Sequence, residues 1–521
     1  LPIFASKLNV GPRLKNPPPP NSQALWALTA LEGAAVIVLE TLCAKYLAPA
    51  YGDSLQVWAS VMGVTLAGLT IGYFFGGHWA QKRPDIVWGV SLAAAASMMM
   101  VPSVATWLIP ILTTGHLFTD SLTVAGILLL PILALMGMLP ALIVQNLAQN
   151  STSGKLAGRV FTVSTSGAIV AVYVTGFILI PVWGATLPLL FAAMALSLPA
   201  LWVLIRQKRM FALTVALPLM FALGHHGSSR FPDGASLKVV EYNEGILGQV
   251  LVGDFDYQTP EGQTRKGRAL YVNRMPQTMV DVVTGQALFS PYLDFMDVAT
   301  HPVGNGDMLM LGLGGGNLVS RFLNQGRRVD VCELDERVVK ASQQYFSLSN
   351  AGGAARFFVD DARHFIRKSP KKYDLIAYDI FKGESPPHHA FTVEAFEDAA
   401  DILKPQGMIV INFLGRTQGE RSKGPLSVIK TLQAGGFKTI TLAIPKIDNV
   451  IVLAARDRIP PLDDRLLPYQ VANLNLDAAE MLTDDRPMLE LLHAETADWN
   501  RNWYYKTYTT RFLKEKVPLF R

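Results

Sequence analysis

Two hydrophobic rhythms divide this 521-residue chain. Before about residue 226 the apolar positions run in long blocks. After it they alternate, or come in short runs closed by glycine or an acid. Seven blocks read as spans, at 24–48, 55–80, 86–112, 121–148, 160–182, 186–205 and 210–224, against the roughly 20 apolar residues a helix needs to cross hydrocarbon. The last block is the shortest. Ahead of the first, residues 1–23 hold Pro17–Pro20 with Lys7, Arg13 and Lys15, which favours an extended polyproline tail. The pattern predicts a multi-pass α-helical membrane bundle over 24–226.

Residues 227–236 form a polar linker of Gly, Ser and Pro. Over 237–300 the segments SLKVVEYNEGILGQVLVGDFDYQ and GRALYVNRMPQTMVDV alternate and turn like antiparallel strands, predicting a small β-domain whose strands end near residue 283. Over 301–460 the rhythm becomes buried strand, turn, helix. Strand 308–313 leads through glycines to a helix ending at about 325, then strand 328–334 and helix 335–345. ARFFVDDARHFI, YDLIAYDIF, TVEAFEDAADIL and GMIVINFL continue the alternation, which implies a parallel sheet covered on both faces. FKTITLAI and NVIVLAA then lie close enough for an antiparallel hairpin at the sheet edge. The expected fold is α/β and Rossmann-like, with the seven strands of an AdoMet-dependent transferase. Residues 461–521 form a C-terminal extension with an aromatic and basic tail.

Charge follows the same division. There are 11 Lys/Arg and 5 Asp/Glu before residue 227, against 35 and 36 from there on. The basic excess sits in the apolar half, so it makes no argument for nucleic acid as a partner. Every second loop of that half is basic: the tail, then Lys82 and Arg83, then Lys155 and Arg159, then Arg206, Lys208 and Arg209. Lys and Arg accumulate in cytoplasmic loops, so the N-terminus is expected in the cytoplasm. Seven spans then put the soluble half outside, in the periplasm of a bacterial-type inner membrane; six would leave it in the cytoplasm. Cys43 and Cys332 lack CxxC spacing, so neither a disulfide nor a thiolate-bound metal is expected. The closing WNRNWYYKTYTTRFLKEKVPLFR reads as an interfacial belt against membrane lipid, or a tail that docks a partner in a membrane complex.

Inside the first span, Glu32 and Glu40 stand about 80° apart around the helix. An intramembrane carboxyl is costly and faces a partner: either these acids form a proton or cation site, or they pin helix packing. In the second span, Gly68, Gly72 and Gly76 form GxxxGxxxG, a face for close helix approach.

The soluble half carries the richer chemistry. Gly312, Gly314, Gly315 and Gly316 follow a buried strand and precede a helix, where backbone can approach a ligand. Glu333 ends the next strand, where a carboxylate can accept hydrogen bonds from ribose hydroxyls. The loop holds no Lys or Arg to meet a phosphate, so adenosine with a sulfonium tail fits better than a dinucleotide. Asp360 and Asp361 close the third strand, within reach of an adenine amino group. Asp379 closes the fourth, above the switch point, placed to orient a nucleophilic amine or take its proton; its alternative role is a helix cap.

LGLGGGN, CELDERVV, VDDARHFI and YDLIAYDIF, in this order, resemble the spermidine synthase (polyamine aminopropyltransferase) family. LEGAAVIVLETLCAKYLAPAYGDSLQVWASVMGVTLAGLTIGYFFGGHWA resembles its branch fused to an integral-membrane domain, and GESPPHHAFTVEAF and LTDDRPMLE resemble its substrate loop and C-terminal signature. The resemblance implies transfer of an aminopropyl group from decarboxylated AdoMet to a small amine, by direct displacement and without a metal; AdoMet itself is the alternative donor. It assigns Gln249, Glu333 and Asp361 to the cosubstrate, Gln277 and His389 to the substrate side, and Asp379 and Tyr292 to catalysis. Three positions depart from it. Gly315 replaces the Asp that grips the aminopropyl ammonium, Lys382 replaces the Asp that anchors the diamine, and Leu293 replaces the His or Gln after the Tyr. Two functions follow: a membrane-bound transferase with an altered acceptor site, or a non-catalytic transferase-like scaffold or accessory subunit. A transporter using Glu32 and Glu40 is a weaker third, since no inverted repeat or broken-helix pair is visible.

Overall fold

The computed structural model describes residues 21–51, 55–112, 117–148, 153–206, 237–245, 247–346, 348, 355–381, 386–486 and 488–504. Six long helices come first: α1 (Ser22–Tyr51), α2 (Leu55–Ala80), α3 (Val87–Leu112), α4 (Leu117–Leu147), α5 (Ser153–Val174, carried on by a π turn at Thr175–Leu179 to Trp183) and α6 (Thr186–Arg206). All six are long and apolar enough to cross a membrane. The block 210–224, the proline tail and the linker 227–236 lie outside the described residues.

Small residues set how closely these helices pack. A Cβ on Gly72 would lie 2.4 Å from the Ala134 carbonyl oxygen and 2.7 Å from the Gly137 Cα, so the GxxxGxxxG face of α2 seats α4. At the crossing of α1 and α5, Gly33 faces Ser164 and Gly167 faces Ala30. There the buried Glu32 accepts a hydrogen bond from Ser164 Oγ at 2.9 Å. That contact supplies the partner an intramembrane carboxyl requires; Glu40, eight residues on in α1, is only half-buried.

Strands β1 (Leu237–Gly245), β2 (Gly248–Gln258), β3 (Thr264–Val272) and β4 (Met275–Asp281) form an antiparallel meander. Its Val250, Val252, Leu270 and Val280 pack with Val338, Ala341 and Phe346, which fastens the small sheet to the larger domain.

The larger domain is a seven-stranded mixed sheet. β5 (Asp307–Leu311), β6 (Arg328–Glu333), β7 (Ala355–Val359), β8 (Tyr373–Tyr378) and β9 (Leu403–Leu414) are parallel. β10 (Lys438–Ala443) and β11 (Asn449–Ala455) close the edge as the antiparallel hairpin, in the order β10-β11-β9-β8-β5-β6-β7. The chain crosses over after β7 to return beside β5, so the switch point lies between β5 and β8.

Helix α7 (Tyr292–Thr300), grouped by sequence with the β-domain, sends Leu293, Met296 and Ala299 into the core beneath this sheet. Five further helices follow: α8 (Asn317–Asn324), α9 (Glu336–Tyr345), α10 (Ala362–Lys368), α11 (Val393–Asp401) and α12 (Lys423–Ala434). The described chain closes with α13 (Leu489–Tyr504).

The soluble half meets the bundle at one end. Ala185 N, between α5 and α6, donates to Glu244 Oε2 at 2.8 Å. Arg501 on α13 lies in electrostatic reach of Tyr51 and Asp120, at the end of α1 and the start of α4.

Candidate active site

Three strand ends converge on the turn after β5. Asp379 N donates to Leu311 O at 2.9 Å and Gly312 N to Cys332 O at 2.9 Å, tying β8 and β6 to β5. Gly312 has φ +82°, and a Cβ there would lie 2.2 Å from the Asp379 carbonyl oxygen. Only glycine meets both demands. Gly314 and Gly316 are also left-handed, at +53° and +76°, and Gly316 is the residue before α8.

Glu333 faces this turn. Its Oε2 accepts from Leu313 N and its Oε1 from Asp335 N, both at 3.0 Å. A carboxylate has about four acceptor sites in all, so these backbone bonds do not exhaust it. Burial pushes the carboxyl up to about 7, against the pull of those two N–H donors.

Asp379 is held by side chains from two other elements. Asn412 Nδ2, near the C-terminal end of β9, donates to its Oδ1 at 2.8 Å, and Tyr292 OH, at the start of α7, reaches its Oδ2 at 3.4 Å. Asn449 Nδ2 on β11 donates to Asn412 Oδ1 at 2.8 Å and fixes that amide. Burial raises the Asp379 carboxyl to about 6, with Asn412 and Tyr292 opposing. Its oxygens answer these two side chains, and it caps none of the described helices.

A cavity of about 310 Å³ brings together Asp379, Tyr292, Gln277 and Gly314, with Asn412 in its wall. The other assigned residues lie apart from it. Gln249 is buried in a polar network: its Nε2 donates to Glu244 Oε1 at 3.3 Å, and its Oε1 accepts from Arg274 Nε at 3.1 Å. Asp361 caps α10 through Arg363 N and His364 N at 3.0 and 3.1 Å, and its Oδ2 contacts His389 Nε2 at 2.8 Å. His389 foremost holds that carboxyl below its usual range. Asp360 pairs instead with His364 Nδ1, at 2.7 Å. Lys382 lies outside the described residues.

The Gly315 departure has a structural reason. A Cβ there would lie 2.5 Å from Thr278 Cγ2, while Thr278 Oγ1 accepts from Gly315 N at 2.8 Å. Thr278 fills the space an acidic side chain would need. The sequence reading missed Thr278, Asn412, Trp499 and Trp503. Asn412 had a signal, a polar residue inside the apolar run GMIVINFL; the two Trp, at helical spacing near the C-terminus, had none that tied them to this cavity.

The strand order and the glycine turn closed by an acid define an AdoMet-transferase-like domain. The family described as "Spermine/spermidine synthase domain" matches residues 295–421. The chain is 32% identical over 110 residues to a polyamine aminopropyltransferase of Vibrio vulnificus, covering 20% of this chain and 36% of that protein. It is 24% identical over 219 residues to one from Methanocaldococcus jannaschii, 38% of this chain and 70% of that protein. An N-terminal histidine N-methyltransferase of Emericella nidulans is 29% identical over 170 residues, 30% of this chain and 29% of that protein. Among solved structures, a spermidine synthase from Thermotoga maritima aligns at TM-score 0.34 and 15% identity, over 50% of this chain and 83% of that one. The chain spans about a third of the length of the Emericella and Vibrio proteins. This protein therefore carries a spermidine synthase-like domain behind a set of apolar helices fit to span a membrane.

Proposed function

We propose that the soluble half is an AdoMet-type transferase that alkylates an amine. The observation that carries this is Asp379, ionisable near neutral pH and clamped by Asn412 and Tyr292, in a cavity that also contains Gly314 of the turn facing Glu333. Glu333 would hold the ribose hydroxyls of the donor, and the left-handed glycines would let its sulfonium end pass close to backbone. The amine nitrogen forms a bond to the sulfonium carbon as the carbon–sulfur bond breaks, and Asp379 accepts the amine proton. Tyr292 and Asn412 keep the carboxylate pointed at the nitrogen. Relatives named polyamine aminopropyltransferase and N-terminal histidine N-methyltransferase support a nitrogen acceptor. The transferred group is aminopropyl or methyl, from decarboxylated AdoMet or AdoMet. Thr278 in the space of an ammonium-gripping acid leaves decarboxylated AdoMet without that partner.

Calorimetry on the full chain in detergent, with AdoMet, decarboxylated AdoMet and methylthioadenosine, tests the reading. At least one of the three binds, and Glu333→Ala abolishes that binding. Failure of all three to bind, or full affinity in the variant, rejects the donor site.

The soluble half is proposed to lie outside the cytoplasm, with the N-terminus inside. Its hydrogen bond to Ala185, and the electrostatic approach of Arg501 to Tyr51 and Asp120, fall at the helix ends away from Lys82, Arg83, Lys155, Arg159 and Arg206. That placement favours a second reading, since sulfonium donors are made in the cytoplasm: a transferase-like accessory subunit of a membrane complex. Product formation from an amine and a labelled donor separates the two.

A further inference from the structure

We propose that the acceptor cavity takes an amine with a single charged nitrogen on an apolar or aromatic body, and discriminates against α,ω-diamines. This rests on the donor-site reading above and specifies the substrate of the same cavity.

Three observations carry it. The first is apolar surface left open. Phe289, Trp499 and Trp503 line the cavity while 71%, 41% and 45% exposed, so its wall presents aromatic surface to an apolar body. Trp499 and Trp503 sit one helical turn apart on α13.

The second is backbone strain. Phe289 and Lys446, both in the lining, have φ of +58° and +67°. A bulky or long side chain in the left-handed region is disfavoured and collects at functional sites. Here the strain aims one aromatic ring and one cation at the same cavity.

The third is charge. The acids among the described lining residues are Asp379 and Asp448. Asp448 is already taken: Arg416 Nε meets its Oδ1 at 2.7 Å, and Arg421 meets its Oδ2. Arg421 also lies over the Trp499 ring at 4.4 Å, so one face of that ring already holds a cation. Asp379 remains to pair with one ammonium. A second ammonium, several carbons away, would meet Lys446 and an arginine-neutralised acid, and removing an unpaired charge from water is unfavourable.

The test uses the full chain in detergent, saturated with methylthioadenosine, titrated calorimetrically with 2-phenylethylamine and with 1,4-diaminobutane. The monoamine is expected to bind about tenfold more tightly, the scale on which an apolar pocket discriminates. Phe289→Ala and Trp503→Ala each weaken the monoamine, and Lys446→Glu brings the diamine towards parity. Phe289 and Lys446 are exposed, so their variants stay informative if Trp503→Ala fails to fold. Diamine binding as tight as monoamine binding overturns the inference, as does unchanged monoamine affinity in Phe289→Ala and Trp503→Ala. Methylthioadenosine binding with neither amine following it also overturns the inference but leaves the donor site standing. Failure of methylthioadenosine to bind removes the proposed function itself.

Discussion

Two carboxyls with displaced titration carry the proposed chemistry. Asp379 is raised in the folded protein to about 6, from an unfolded value of about 4. The fold therefore binds this proton more tightly than the unfolded chain, and this group's contribution to stability falls as pH rises from about 4 to 6. Asp379→Asn should melt at a higher temperature than wild type at neutral pH, with the gap closing towards pH 4. The same change should cost roughly 100-fold or more in turnover, since the amide cannot accept the proton. Wild-type turnover should rise with pH through about 6 as the base ionises.

Glu333, pushed up to about 7, must be ionised to accept two hydroxyls. Methylthioadenosine affinity should therefore increase roughly tenfold between pH 6 and pH 8, a slope that calorimetry at three pH values would show. A flat profile would mean the ribose is held elsewhere. Both acids were legible as strand-end carboxylates, but their displaced titration was not, because it comes from burial by segments distant in the chain.

The glycine turn and α13 show what a local segment can and cannot specify. Gly312→Ala would force a Cβ against the Asp379 carbonyl at a left-handed φ; conformation alone costs about 1–2 kcal/mol, and the overlap adds to it. The expected outcome is a lower melting temperature together with loss of methylthioadenosine binding, measured on the same preparation. The turn was readable from one line of sequence because strand, glycines, helix and acid follow one another. The segment of α13 reads on its own as a membrane belt, and its role in the cavity wall depends on where the hairpin β10–β11 and the 461–488 segment deliver it. His389 illustrates the same limit. Its neighbours suggested a substrate lid, while its ring contacts Asp361 at the cap of α10, beside the third strand and apart from the Asp379 cavity.

At the level of the entire protein, the described residues of the bundle and the transferase-like half meet at one end, with Glu244 accepting from Ala185 N. Glu244 also joins the Tyr242, Gln249 and Arg274 network of the small β-domain, so the residue assigned by resemblance to the cosubstrate, Gln249, stands one hydrogen bond from the bundle contact. A reporter fused after residue 521 should read as extracytoplasmic, and an active cytoplasmic reporter there would overturn the proposed placement and remove the main support for an accessory subunit.

The division into apolar spans and a soluble half, the strand–helix alternation and the acids closing the second and fourth strands follow from local order: periodicity and spacing survive in a one-dimensional string. The surroundings of those acids do not. Asn412, Thr278, Trp499 and the Arg416–Asp448–Arg421 clamp come from segments scattered over more than 200 positions, and only burial of one sheet between two layers brings them to one cavity and assigns the carboxylates their proton affinities.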